Sequence, residues 1–391
     1  MEKLLVIRVI NRVFLLVIFF LLSFIVVYSQ DKKLEFTLDG YLVYLPSIDK
    51  IKDSSLTNNN IIHNRINLRA YFSEHFTVSL GLRNRLFFGE SVKKNSLFGQ
   101  YLNKDDGIVD MSFLWIDGNT LKAHTMIDRL WLNYKKGKWE FSIGRQRVNW
   151  GVNLLWNSND LFNAYNFTDF DYVERPGSDV IRFQYYGDDL SSIDFVFKPT
   201  NNNGYILAGL YKFNKKGYDF QFLGANYFDD IALGTGWAGN LKNAGFKGEM
   251  TYFIDKNSNK NSLSVSTSID YSFKDGFYLN VGYLYNSNGF TDSNILRDVS
   301  FLQSSLSPKN LMPSKISYFS QVSKQVNPAL NSSMSLLYGQ GVNILFFMTN
   351  ISYSFNNDMD LDLIGQFYFG ENPIKFENIL KNLNVRFRYN Y

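Results

Sequence analysis

The chain has 391 residues, a formal net charge of +4 and no cysteine. The lack of cysteine excludes a disulfide framework, a cysteine-ligated metal centre and a thiol nucleophile. Aromatic residues make up 17% of the chain, although its mean hydropathy is only −0.18. This combination is typical of a protein that is apolar on one face, hydrated on the other, and carries aromatic belts at two interfaces.

The first 29 residues have the organisation of a secretory signal. Three basic residues precede an uncharged apolar stretch at 13–27, and small or modest residues follow it. The alternative is an N-terminal membrane helix, but a spanning helix needs about 20 apolar residues and this stretch is shorter. We therefore predict a cleaved signal peptide at residues 1–29. Its removal leaves residues 30–391 with a formal charge of +2, which argues against nucleic-acid binding.

The rest of the sequence alternates between apolar and polar residues. Leu263, Val265 and Ile269 share one parity, whereas Ser264 and Ser266 occupy the other. Successive side chains of a strand point to opposite faces, so each such segment predicts a strand with one apolar face. Eighteen strands are predicted, at residues 34–45, 61–73, 76–88, 122–135, 138–147, 179–187, 190–199, 204–214, 217–228, 230–241, 243–254, 262–273, 276–287, 314–327, 329–338, 341–355, 359–370 and 381–391. A count of 16 is the alternative, if one hairpin is wrong.

The connections between these segments alternate in length. Short turns are predicted at residues 73–75, 135–137, 187–189, 214–217, 274–276 and 356–358. Long links are predicted at residues 46–60, 89–121, 148–178, 288–313 and 371–380. Short turns at one end and long loops at the other are typical of outer-membrane barrels. The predicted fold is thus all-β: a transmembrane, antiparallel up-and-down β-barrel with its short turns in the periplasm, embedded in outer-membrane lipid of a Gram-negative cell.

The last strand supports this location. Leu383, Phe387 and Tyr391 alternate with Arg386 and Arg388, so the chain stops on an aromatic residue. An amphipathic terminal strand of this kind resembles the signal by which the barrel-assembly machinery recognises outer-membrane proteins. We expect that machinery to be a partner of this chain.

Catalytic motifs are absent from the sequence: it has no nucleophile elbow, Walker loop, metalloprotease helix or dinucleotide-binding glycine pattern. His75 falls in a predicted turn, His124 at a strand edge, and His63 on the lumen parity. A Ser–His hydrolase on the barrel wall is the enzymatic alternative for His63, and a solvated lumen histidine is the simpler interpretation. We expect neither an enzyme nor a cofactor.

Ten arginines share the lumen parity or adjoin it, on strands that become neighbours when the barrel closes. They are Arg65, Arg69, Arg83, Arg85, Arg129, Arg145, Arg147, Arg182, Arg386 and Arg388. Guanidinium groups stay charged and favour anions when they line a pore. The alternative is a structural set in which the arginines pair with Glu35, Asp39, Glu140 or acids of the loops. Both interpretations can hold together.

The link 148–178 is too long and too rich in aromatic, Asn and Asp residues for a plain external loop. It predicts a loop that folds inward and narrows the channel. The residues expected at the constriction are Trp150, Asp160, Asp169, Asp171, Glu174 and Arg175. Its acids would face the arginines and create a transverse field. Its oxygen ligands also suit calcium, although no EF-hand spacing is present.

The block around this link contains Gly144-Arg145-Gln146, Asn149-Trp150-Gly151, Asn157, Asp160 and Arg175-Pro176-Gly177. These residues resemble a block in porin-like outer-membrane proteins of Gram-negative bacteria, most of all in uncharacterised Bacteroidota members and, more distantly, in the alginate-export porin family. The resemblance spans residues 144–186. It implies a barrel of 16 to 18 strands and passive or substrate-selective diffusion, without identifying alginate as the solute.

The sequence thus predicts a channel for passive or weakly selective diffusion of small polar solutes, with anions favoured by the arginines. Two other barrels remain as alternatives. One is a carrier with a plugged lumen. The other is a closed structural or adhesive barrel whose long loops 89–121 and 288–313 bind a partner. The solute and the oligomeric state stay open.

Overall fold

In the computed structural model, the described residues are 34–163, 176–201, 204–258, 260–292, 307–372 and 375–391. The predicted signal peptide lies outside these ranges. Among the described residues, no helix is long and apolar enough to cross a membrane.

The described residues form nineteen strands: β1 (Glu35–Ile51), β2 (Thr57–Tyr71), β3 (Phe76–Gly89), β4 (Ser112–Asp117), β5 (Leu121–Lys136), β6 (Trp139–Gln146), β7 (Ser178–Tyr186), β8 (Ser192–Pro199), β9 (Tyr205–Lys215), β10 (Tyr218–Tyr227), β11 (Asp230–Leu241), β12 (Ala244–Asp255), β13 (Ser262–Ser272), β14 (Phe277–Asn286), β15 (Ile316–Asn327), β16 (Leu330–Gln340), β17 (Ile344–Ser354), β18 (Met359–Asn372) and β19 (Lys375–Asn390).

Eighteen of these strands form a closed antiparallel barrel, as the alternation predicts. Each barrel strand pairs with its neighbours in sequence, and β1 pairs with β19 to close the ring, with Tyr41 opposite Asn390. The exception is β4, which the sequence analysis missed. It pairs with the first residues of β5, while β3 pairs with the opposite edge of β5 along nearly its whole length. β4 therefore adds to the barrel rim without joining the ring.

The long link between β3 and β5 also holds two short helices, α1 (Glu90–Lys94) and α2 (Phe98–Leu102). A single turn of helix has no apolar stripe long enough to detect by periodicity. The link is therefore partly ordered, and it packs onto the rim of the barrel through α1, α2 and β4.

The two faces of the sheet follow the predicted parity. Ile269 of β13 and Val281 of β14 are each 49% exposed on the outer surface, whereas Ser264 and Ser266 are buried on the inner one. These strands pair in register, with Ile269 opposite Val281. The period-two pattern thus places an apolar surface outside and a polar wall inside.

The barrel has a terminal end, where β1 begins and β19 ends, and a loop end opposite to it. Every predicted short turn lies at the terminal end, and the long links 89–121, 148–178 and 288–313 lie at the loop end. The long links predicted at 46–60 and 371–380 are wrong, because β1 and β2 leave only residues 52–56 between them and β19 begins at Lys375. Near the rim water reaches both faces of a strand, so apolar and polar residues no longer alternate there.

The inner wall is not polar throughout. On β8 to β12 the inward side chains are also apolar, and Val196, Ile206, Leu210 and Phe253 are each at most 2% exposed. An apolar wall facing water would be unfavourable, so this sector needs a cover. The cover comes from the link between β6 and β7.

Candidate functional site

Residues 147–163, which we call the inner segment, run inside the barrel. Their main attachment is Glu249, a fully buried inward side chain of β12. Its carboxylate accepts hydrogen bonds from the backbone N–H groups of Val152 (2.5 Å), Asn153 (2.9 Å) and Asn159 (2.8 Å). Three donors on one carboxylate replace the water that a buried charge loses, and each is a charge-assisted bond.

Polar side chains of the wall extend this attachment. Asn153 Nδ2 donates to Ser266 Oγ at 2.8 Å, and Ser268 Oγ donates back to Asn153 Oδ1 at 2.8 Å. Thr251 Oγ1 donates to Asn159 Oδ1 at 2.7 Å. The serines and threonine of the lumen parity on β12 and β13 are therefore a docking surface for the inner segment.

Apolar contacts fix the other side of the inner segment. Trp150 is fully buried, packs edge-to-face against Phe162 with 5.0 Å between ring centroids, and belongs to the same apolar cluster as Val196 and Ile206. Its indole Nε1 donates to Asp194 Oδ2 of β8 at 2.8 Å. The tryptophan thus covers the apolar sector of the wall while its polar atom stays paired.

Two glycines of the block that resembles porin-like proteins have steric roles. A Cβ on Gly151 would lie 2.2 Å from Asn157 Oδ1, and a Cβ on Gly177 would lie 2.4 Å from the carbonyl oxygen of Asp128. A larger residue at position 151 would displace Asn157 within the inner segment, and a larger residue at position 177 would push the chain that enters β7 away from β5. These motif residues therefore serve packing.

A second stretch, which the sequence analysis missed, also packs inside the barrel. Residues 307–314 of the link between β14 and β15 bury Leu311 and Met312 in a cluster with Trp156 of the inner segment. Lys309 Nζ donates to Asp230 Oδ2 at 2.7 Å at the rim. The available signal was weak, because Leu311-Met312-Pro313 is a short apolar run within a long polar link.

The inner segment contains two of the six residues expected at the constriction, Trp150 and Asp160. Asp160 is 1% exposed, and its electrostatic neighbours include Lys198 of β8 and Glu249. It is not among the residues that line the arginine cavity described below. The other four, Asp169, Asp171, Glu174 and Arg175, lie outside the described residues. No cluster of three or more acidic or histidine side chains suits a metal within the described ranges, and the calcium site stays a prediction.

Several arginines form buried ion pairs with aspartates. Arg145 binds two aspartates: its Nε and Nη2 contact both oxygens of Asp179 at 2.7 and 3.0 Å, and its Nη1 donates to Asp105 Oδ2 at 2.7 Å. Because Asp105 belongs to the β3–β5 link, Arg145 ties that link to the wall. This forked pairing is the geometry in which arginine binds carboxylates most specifically.

The other pairs lie on separate strands. Arg65 Nη1 contacts Asp128 Oδ2 at 2.5 Å, Arg182 Nη2 contacts Asp194 Oδ2 at 2.5 Å, and Arg386 Nε contacts Asp362 Oδ2 at 2.8 Å. These partners differ from the strand acids expected from the sequence, Glu35, Asp39 and Glu140, whereas Asp105, the partner of Arg145, is a loop acid as expected. A register shift between β3 and β5 beside Asp128 breaks the parity rule there and turns this aspartate inward.

Five of the ten arginines meet around one cavity in the lumen wall. The cavity has a volume of about 360 Å³, and most of its lining residues come from β2, β3, β5, β6 and β7. The guanidinium-bearing residues in its lining are Arg65, Arg69, Arg129, Arg147 and Arg182. Among the described residues, Glu140 is the one acid in this lining, and it accepts hydrogen bonds from Asn133 Nδ2 at 2.7 Å and from Tyr186 Oη at 3.0 Å. We call this feature the arginine cavity.

The remaining arginines lie elsewhere on the wall. Arg83 is buried, and Arg85 Nη2 lies 3.2 Å from His124 Nδ1. Arg388 stacks over the ring of Tyr41 at 4.2 Å and donates to Asn390 at 2.7 Å. Arg83, Arg85, Arg145, Arg386 and Arg388 are thus absent from the lining of the arginine cavity.

His75 lies in the turn between β2 and β3, as predicted, but His63 differs from expectation. His63 is fully buried beside Tyr41, with ring centroids 5.3 Å apart, so a solvated lumen histidine is wrong. His124 does contact a serine, with Nε2 2.8 Å from Ser112 Oγ. An arginine side chain can only donate hydrogen bonds, so His124 Nδ1 accepts the bond from Arg85. In a neutral imidazole ring the proton is then on Nε2. His124 then donates to Ser112, which is the reverse of a base activating a nucleophile.

Comparison with solved structures identifies similar folds. OpdQ of Pseudomonas aeruginosa matches with 9% identity and a TM-score of 0.57, over 92% of this chain and 99% of that one. OccK11 (OpdR) of the same species matches with 10% identity and a TM-score of 0.56, over 91% and 95%. OccAB4 of Acinetobacter baumannii matches with 10% identity and a TM-score of 0.53, over 93% and 99%. No protein family and no curated protein matches the sequence. At these identities, the likeness shows a shared barrel fold.

Proposed function

We propose that this chain is an outer-membrane, porin-like channel for diffusion of small polar solutes, with a preference for anions. The observation that carries the proposal is the arginine cavity: five guanidinium groups and one engaged carboxylate surround about 360 Å³ in the wall of an 18-stranded barrel. A barrel of this strand number is wide enough to leave an aqueous channel.

A membrane location is supported by the outer surface. Aromatic rings stack near the terminal end, where Phe213 lies 5.6 Å from Phe220, and others meet near the loop end, where Phe197 lies 6.0 Å from Tyr205. Apolar side chains such as Leu207 and Leu233 fill the band between these levels. Two aromatic girdles around an apolar band are typical of barrels in a bilayer. The short turns at the terminal end then belong to the periplasm.

The preference for anions follows from charge and exposure. Arg69 and Arg147 are exposed on the lumen side, so a passing carboxylate or phosphate can contact them directly. Arg65 and Arg182 already bind aspartates and contribute mainly to the shape of the wall. Anion selectivity therefore depends on the exposed pair Arg69 and Arg147. The arginines that bind aspartates hold the surrounding wall in place.

The inner segment supplies the constriction in this proposal. It packs along the wall from β8 to β15, next to the strands that carry the arginine cavity, and Arg147 at its start lines that cavity. A solute that crosses the barrel then passes both features. Recognition by the barrel-assembly machinery, the relation to Bacteroidota proteins and the distant one to the alginate-export family are parts of the same proposal that rest on sequence resemblance alone.

Swelling of proteoliposomes tests the proposal with solutes of similar size. We expect vesicles that contain the folded barrel to swell in isotonic arabinose and faster in isotonic potassium gluconate, with valinomycin present to carry the potassium counter-ion. Barrel folding is checked by heat-modifiable migration in gels. No swelling from folded protein would contradict the channel and favour the closed, partner-binding barrel. Equal rates in both solutes would contradict the anion preference and leave the channel intact.

A further inference from the structure

The outer surface of β8 to β11 contains a depression. Four outward residues lie side by side across these strands: Phe195 pairs with Gly209, Gly209 with Gly224, and Gly224 with Leu233. The two adjacent glycines, Gly209 and Gly224, have no side chain, whereas large side chains cover the rest of this apolar surface. The result is a groove with an open volume of about 890 Å³ and walls that are almost entirely apolar.

The floor and walls of this groove are well defined. A Cβ on Gly224 would meet no atom within 4 Å, so the space above it is open. The ring of Phe195 leans over Gly209, where a Cβ would lie 2.9 Å from ring carbon Cε1. Leu207 closes the groove on its loop-end side, and Tyr211 and Phe222 close it toward the terminal end. A linear hydrocarbon chain fits such a slot better than a bulky ring system does.

A cation lies at the rim of the groove nearest the loop end. Lys256 follows β12 directly, is exposed, and lines the groove together with Asn226. Its Nζ donates to the Asn226 side-chain oxygen and, at 3.1 Å, to the carbonyl oxygen of Phe228. These acceptors hold the ammonium at the loop-end rim of the groove, at the level where lipid headgroups meet a barrel.

We propose that this groove is a binding site for one anionic membrane lipid, whose acyl chain lies over Gly224 beside the ring of Phe195 and whose phosphate contacts Lys256. The inference rests on the proposed membrane location of the barrel, but not on its conductance. An apolar slot with a single cation at one end matches an amphiphile with a negative headgroup. A symmetric contact with a second copy matches it poorly, because two concave patches facing each other would leave a void.

Retention of lipid on the purified barrel tests the site. The full mature chain is equilibrated in mixed micelles that contain equal amounts of phosphatidylglycerol and phosphatidylcholine with identical acyl chains, and bound lipid is counted by native mass spectrometry. We expect one phosphatidylglycerol per barrel to be retained preferentially. K256Q should reduce that preference about fivefold, which corresponds to about 1 kcal/mol for one lysine near a lipid headgroup. K260Q, in the same link but outside the groove lining, should leave the preference unchanged.

Filling the groove provides the second arm. G224F should remove the retained lipid of either type, because the new ring occupies the open space above residue 224. V281F places the same ring on the outer surface of β14, where it should have no effect. Equal retention of both lipids by the wild type, or unchanged retention in G224F, would overturn the proposal. A dimer mass that G224F abolishes would also overturn it, and would assign the groove to a protein partner.

Conductance of the same variants separates this site from the channel. The groove is on the outer surface, so G224F and K256Q should conduct like the wild type. Retained lipid on a barrel that does not conduct would contradict the proposed channel but not the proposed lipid site. A barrel that conducts but retains no lipid would contradict the lipid site alone.

Discussion

The carboxylate of Glu249 accepts a hydrogen bond from the backbone N–H of Asn159 at 2.8 Å, across 90 residues of chain. Two more N–H groups, from Val152 and Asn153, share the same carboxylate. One wall residue therefore fixes both ends of the bend in the inner segment. The inner segment is then held in a fixed position in the lumen by a fully buried carboxylate, to which water has no access.

Loss of this attachment should loosen the constriction. In E249Q the side chain keeps one acceptor and presents an amide N–H₂ to donors, so charge-assisted bonds worth about 1.5–3 kcal/mol each are lost or reversed. We expect larger and noisier single-channel currents, and cleavage within residues 147–163 by a protease that spares the wild type. E90Q, which changes a carboxylate on the exposed helix α1, serves as control. Identical current noise in E249Q and wild type would mean that Glu249 does not position the constriction.

Shortening the inner segment should widen the channel. Replacement of residues 149–175 by a short Gly/Ser linker is expected to increase conductance, since both the segment and its side chains leave the lumen. Exposure of Val196 and Phe253 to water could impair folding, so W150A is a milder companion that removes one covering side chain. An unchanged conductance from a deletion variant shown to be folded would place the segment away from the ion path.

The arginines should divide into two functional groups. R69S/R147S removes the two exposed charges of the arginine cavity and should shift the reversal potential toward cation preference. R83S/R85S removes two charges from outside that lining and should shift it less. K215S/K216S, in an exposed turn at the terminal end, controls for loss of charge as such. A larger shift in R83S/R85S than in R69S/R147S would contradict the assignment of selectivity to the cavity.

Arg145 should matter for stability more than for transport. R145A leaves Asp105 and Asp179 buried without their partner, which is expected to destabilise the barrel by about 3–5 kcal/mol. R145K keeps the charge but loses the forked contact and should cost less. Unfolding by urea in lipid vesicles measures both. Wild-type stability of R145A would show that the two aspartates find other partners.

The outer face of β13 and β14 provides a test of the barrel parity. I269R or V281R places a charge in the apolar band and should cost about 2–4 kcal/mol near the middle of the bilayer. K274R, in the turn between these strands, keeps the charge outside the band and should be neutral. Normal folding of both strand variants in lipid vesicles would mean that this hairpin does not face the membrane.

The strands were predictable because a barrel wall that is apolar outside and polar inside imposes a strict alternation. Ser264-Val265-Ser266 shows it residue by residue, and the count of 18 strands followed from it. Alternation fails where the environment changes. β2 begins at Thr57 near the rim, where water reaches both faces of the strand. At Asp128 a register shift between β3 and β5 turns a residue inward.

The partners inside the lumen were less predictable. The inward direction of the β6–β7 link could be inferred from its length and composition, but its attachment to Glu249 could not, because a lone Glu on the lumen parity resembles any solvated acid. The burial of Leu311 and Met312 was missed for a related reason, since a short apolar run has no period. A usable signal was present on β9 and β10, where Ile206-Leu207 and Phe222-Leu223 are apolar on both parities. A strand that is apolar on both faces needs a cover inside the barrel.

The central claim is that this barrel conducts and prefers anions. The most direct test is single-channel recording of residues 30–391 in a planar bilayer under a potassium chloride gradient. We expect ohmic current steps and a reversal potential displaced toward the equilibrium potential of chloride. A reversal potential displaced toward that of potassium would contradict the anion preference, and the absence of steps from heat-modifiable, folded protein would contradict the channel itself.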